Sequence, residues 1–82
     1  MKLEIGHVVE VEGKEGVVVY VTNIGDSNYV LVSYEEGNII DYKVFEVKYE
    51  DNNLYLAEEK NKELVSDILV EFTKDNTILK ED

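Results

Sequence analysis

Val9-Glu10-Val11-Glu12-Gly13-Lys14-Glu15-Gly16-Val17-Val18-Val19-Tyr20-Val21-Thr22 carries two strands and the turn between them. Val9 and Val11 alternate with Glu10 and Glu12, a period of two that gives a strand one dry and one wet face. Glu12 to Gly16 reads as a turn, with glycines at positions open to positive φ. Val17 to Thr22 is β-branched or aromatic and apolar on both faces, which suits a central strand.

The pattern repeats outward from there. Asn23 to Asn28 holds Gly25-Asp26-Ser27, a second turn, and Tyr29 to Tyr34 reads as the next strand. Glu35-Glu36-Gly37-Asn38 is a third turn. Ile39 to Tyr42 makes a short strand; Phe45, Val47 and Tyr49 then alternate with Glu46, Lys48 and Glu50 until Asp51-Asn52-Asn53 breaks the pattern. Turn signals about ten residues apart are those of a small antiparallel sandwich or barrel.

After Asn53 the period changes. Leu64, Val65, Ile68, Leu69 and Phe72 recur at helical spacing and form one apolar stripe. A strand over the same residues mixes Val65 and Leu69 with Asp67 and Glu71 on one face, so the helix is favoured. The expected fold is mainly β with a C-terminal helix: a small SH3-like antiparallel barrel of about five strands, then one amphipathic helix. The boundaries read as one domain over 1–82, with the barrel at 5–50, the helix at 57–73 and a tail at 74–82.

Eighty-two residues suffice for one domain, and a domain this small has a thin core. Cysteine is absent, so the core must hold the fold without disulfides or thiolate metal clusters. That absence, with no signal-like apolar stretch near Met1, predicts a cytoplasmic protein. The longest apolar run, Val17 to Val21, is far short of a membrane span.

Charge is the strongest compositional signal. The net charge is −11, and all eight basic residues are lysine. Residues 1–49 carry −5 and residues 50–82 carry −6, so the acidity is no appended tail. Arginine suits bidentate contacts to phosphates and guanine edges, and there is none. So negative a field repels nucleic acid and anionic membrane and attracts basic proteins.

From Gly6 to Tyr34 the chain resembles the small SH3-like barrels, in particular the KOW and Tudor-type modules. The likeness lies in Ile5 to Val18, with its strand, glycine-bounded turn and long second strand, followed by Tyr29-Val30-Leu31-Val32. It covers about half the chain. Such modules bind RNA, ribosomal or transcription components, or peptide tails, which is what the resemblance implies for a partner. A KOW module that binds nucleic acid is expected to be basic, whereas Glu10, Glu12 and Glu15 surround Lys14 here.

No catalytic or metal constellation is legible. His7 has no Ser, Cys or second His beside it, so neither a triad nor a zinc site forms. Gly13-Lys14-Glu15-Gly16 has the wrong spacing for a phosphate loop. Asp26-Ser27-Asn28 and Asp51-Asn52-Asn53 lack the glycine and distal glutamate of a calcium loop, and turn chemistry accounts for both. No cofactor is expected. Of the six tyrosines, most are expected in the core or at its rim; an aromatic cage or a protein interface is the alternative use.

The candidate site is instead a row of acids. Glu59, Glu63, Asp67 and Glu71 are spaced by four, which on a helix puts carboxylates ~6 Å apart along the axis. Like charges at that spacing cost roughly 0.2–0.5 kcal/mol per pair. Glu35, Glu36, Tyr34 and Tyr42 form a second, weaker candidate surface. The expected activity is non-enzymatic: an inhibitor or adaptor docking on a basic surface of a nucleic-acid-binding protein. Acidic proteins of phages and mobile elements that block restriction or CRISPR effectors are similar in size and charge. The alternative is an accessory module binding RNA or ribosomal or transcription machinery. Direct nucleic-acid binding and membrane binding are not expected, and open strand edges permit a homodimer.

Overall fold

Four two-residue turns set the register of the sheet. The computed structural model describes residues 3–80, with side chains through Lys74. Strands β1 (Val8–Val11), β2 (Lys14–Ile24), β3 (Ser27–Glu36), β4 (Ile39–Glu50) and β5 (Asn53–Glu58) follow one another as an antiparallel meander. Glu12 and Gly13, and likewise Asp51 and Asn52, both have positive φ. That pairing defines the type I′ turn, whose twist matches the flanking strands. Gly25 and Gly37 open the other two turns.

The strands wrap into a nearly closed barrel with β3 at its centre. Tyr29, Val30, Leu31 and Val32 are all buried, because β3 has a core on each side. Inside the barrel lie Val18, Val30, Val32, Tyr34, Phe45 and Val47, with Val9, Val11, Leu54 and Leu56 packed against them. Outside lie Tyr29, Leu31, Val44 and Ile68, with Val19, Tyr20, Leu64, Val65, Leu69 and Phe72. The edge strands β1 and β5 face each other across a cleft of about 400 Å³ lined by Val9 to Glu12 and Leu54 to Leu56.

One irregularity explains the doubly apolar run Val17 to Val21. The β2–β3 register shifts between Val18 and Tyr20, so Val18 pairs with Val32 and Tyr20 with Leu31. The extra residue, Val19, is a β-bulge. It turns both Val19 and Tyr20 toward the helix while Val18 and Val21 still face the barrel interior.

Gly16 permits the tight curl of β2. A methyl group there would lie 2.5 Å from Val32 Cγ1 and 2.9 Å from the Ser33 carbonyl oxygen. Only glycine fits so close an approach.

Helix α1 (Lys62–Lys80) lies on the outer face of the sheet. Asn61 caps it, its Oδ1 accepting hydrogen bonds from the N–H groups of Glu63 and Leu64 at 3.0 and 3.3 Å. All five stripe residues, Leu64, Val65, Ile68, Leu69 and Phe72, pack on the sheet, and Ile68 is fully buried.

Several boundaries differ from the sequence reading, the first being the Glu12–Gly16 turn, which shrinks to Glu12-Gly13 because β2 begins at Lys14. The helix begins at Lys62 rather than Ala57, because Asn53–Glu58 is the fifth strand, pairing with β4 from Phe45↔Glu58 to Glu50↔Asn53. Ile39–Tyr42 and Phe45–Glu50 are one twelve-residue strand, not two. The helix also continues past Thr73 to Lys80, so the first seven residues of the tail expected at 74–82 are helical, and 81–82 lie outside the described residues. Among the described residues, no helix is long and apolar enough to cross a membrane.

Candidate functional site

The meander carries three segments to one end of the barrel: the Glu12-Gly13 turn, the β3–β4 hairpin tip and the end of β5. Alternation along each strand decides which of their side chains face inward. Tyr34 and Glu36 on β3, Asp41, Lys43 and Phe45 on β4, and Leu56 and Glu58 on β5 line a cavity of about 190 Å³ with Val11, Glu12 and Lys14. The register confirms the placement, since Tyr34 pairs with Asp41 across the hairpin.

The cavity has an apolar floor and a charged rim. Val11, Phe45 and Leu56 form the floor, and Glu12, Glu36, Asp41 and Glu58 stand exposed around it. Lys14 engages Glu36 at 3.8 Å, which is the one ion pair among the described residues. Tyr34 sits between floor and rim with 9% of its surface exposed, and no hydrogen bond to its hydroxyl is made among the described residues. Burial, and then the negative charges of Glu58 and Glu12, push its pKa above the ordinary 10.0. Those two carboxylates line the same cavity as the phenol.

Three more acids crowd the outside of the same end. Glu10 pairs directly with Glu15 between β1 and β2. Directly opposed like charges destabilise a sheet. Glu35 follows next to Glu36 at the hairpin. No charged side chain is buried among the described residues.

The predicted acidic row is divided by the fold. Glu59 precedes the helix, its Oε2 accepting the Asn61 N–H at 3.1 Å, so it supports the cap rather than the row. Glu63 and Asp67 are exposed on α1. Glu71 is half-buried against the barrel, where Tyr20 Oη donates to it at 3.2 Å and Thr22 Oγ1 at 3.3 Å. The second candidate group is divided as well. Tyr34 and Glu36 face the cavity, whereas Glu35 is on the outer surface. Tyr42 packs against Phe72 with ring centroids 5.7 Å apart.

Sequence reading missed Glu12, Asp41, Lys43 and Glu58 as members of one cluster. Aligning β3 and β4 about Gly37-Asn38 places Asp41 opposite Tyr34, a signal present in the chain. Glu58 was hidden by the helical reading of its segment. His7 is exposed and its Nδ1 accepts the Glu4 N–H at 3.2 Å. Among the described residues, no three of His, Cys, Asp or Glu converge to hold a metal ion. Comparison with protein-family models, curated proteins and solved structures finds no match to the chain.

Proposed function

We propose that the protein acts by binding alone, as an acidic module that docks on a basic surface of a nucleic-acid-handling protein. The observation that carries this reading is the arrangement of its carboxylates: they stay outside, crowd one barrel end, and are offset by one ion pair among the described residues. The Glu10–Glu15 pair opposes folding, so the acidic density there costs stability rather than adding to it. Lys- and Arg-lined grooves are the complementary surface, and they belong to proteins that handle nucleic acid. An inhibitor or adaptor of the nucleic-acid-mimic type, such as a phage or mobile-element protein directed against restriction or CRISPR effectors, fits that chemistry. Glu63 and Asp67 on α1 extend the negative surface along a second element.

The five-stranded barrel favours one other reading. SH3-like modules of the KOW or Tudor type have this general plan, and they serve RNA or the ribosomal and transcription machinery. A gel shift separates the two. The docking reading expects no RNA or DNA retardation at physiological salt, and expects partners recovered from lysate to survive nuclease and elute with salt. Retarded nucleic acid would favour the accessory-module reading and contradict the first.

A further inference from the structure

We infer that the barrel mouth is a pocket for one arginine side chain of the basic partner, its guanidinium held between Glu12, Asp41 and Glu58 and reaching the Tyr34 hydroxyl. The inference rests on the docking reading and specifies where that docking is anchored.

Four features of the mouth point to this occupant. Tyr34 is nine-tenths buried, lines the cavity, and has no hydrogen-bond partner among the described residues, so its hydroxyl is available to a group that enters. About 190 Å³ is smaller than the pockets that take cofactors or drug-sized molecules, and suits a single side-chain head. Val11, Phe45 and Leu56 make the interior apolar, which favours the weakly hydrated guanidinium over the strongly hydrated ammonium. With Lys14 engaged by Glu36, three carboxylates face Lys43 alone, and the remaining charge is −2.

The acceptors are also dispersed. They come from the β1–β2 turn, β3, β4 and β5, and no three converge on a metal-sized point. A planar cation with five donors meets such a ring from several sides at once. Methylation would remove donors and add bulk, so the pocket selects the unmodified side chain.

The test uses the full chain, titrated with a capped Gly-Arg-Gly peptide and followed by amide chemical shifts. Matched peptides carry citrulline, lysine or asymmetrically dimethylated arginine. The arginine peptide is expected to move Tyr34, Phe45 and Leu56 first; citrulline is expected to move nothing, and the lysine and methylated peptides to bind more weakly. Tyr34→Phe keeps the ring and removes the acceptor, and should weaken the arginine peptide roughly twofold to tenfold. Lys43→Gln removes the competing cation and should tighten it. Citrulline or lysine binding as well as arginine, shifts centred elsewhere, or no response to either variant would overturn the pocket. Scattered shifts beside a salt-sensitive complex with the macromolecular partner would sink the pocket and leave the docking reading standing; loss of that complex's salt dependence would sink both.

Discussion

Three residues show how local geometry sets stability here. Glu12 holds φ +53, a left-handed conformation that costs an ordinary side chain about 1 kcal/mol. Glu12→Asn supplies the Asn-Gly pair preferred in type I′ turns and should raise the urea midpoint, by about 1 kcal/mol in unfolding free energy. Gly16→Ala should do the opposite, costing about 1–3 kcal/mol, because the new methyl meets Val32 and the Ser33 backbone. Tyr34 gives the protein an alkaline limit. Its folded pKa is raised, so the neutral phenol is the form the fold favours. That contribution is complete below pH 10.0 and is lost as pH climbs through the raised value. Urea unfolding at a series of alkaline pH values should show a fall in stability that Tyr34→Phe makes shallower.

Between elements, the helix and the sheet depend on a few contacts. Among the described side chains of α1, Ile68 is the one that is fully buried, and it is seated against Leu31 and Val44. Ile68→Ala should cost about 2–5 kcal/mol, and amide exchange should show α1 losing protection ahead of β3. Asn61→Ala should cost about 1 kcal/mol by removing the cap. The helix stripe was legible because five apolar residues at one spacing leave little choice of partner face. β1 to β3 were legible because their turns carry glycine and their faces alternate. β5 was not: Leu54 and Leu56 give only two inward positions, and Asn53 to Glu58 lacks a glycine turn after it. The bulge at Val19 was invisible for another reason. Five apolar residues in a row hide the point at which the period slips, and only pairing with β3 exposes it.

Taken together, the chain is a thin-cored barrel that keeps its acids on the surface and brings seven of the nineteen to one end. The sequence carried the sign and size of the charge but not its location. Glu12, Asp41 and Glu58 lie on three different segments, and only strand register brings them to one mouth. The row read from the helix is correspondingly reduced, since Glu59 accepts the N–H of the capping Asn61 and Glu71 accepts from Tyr20 and Thr22. A surface that binds through dispersed carboxylates works by long-range attraction, which salt screens over a Debye length of ≈ 10 Å at 0.1 M. The decisive quantity is therefore the dissociation constant for the protein recovered on this chain from nuclease-treated lysate, measured across a series of salt concentrations. Affinity should fall steeply and continuously as salt rises from low to moderate; affinity indifferent to salt would contradict the idea that exposed carboxylates make the contact.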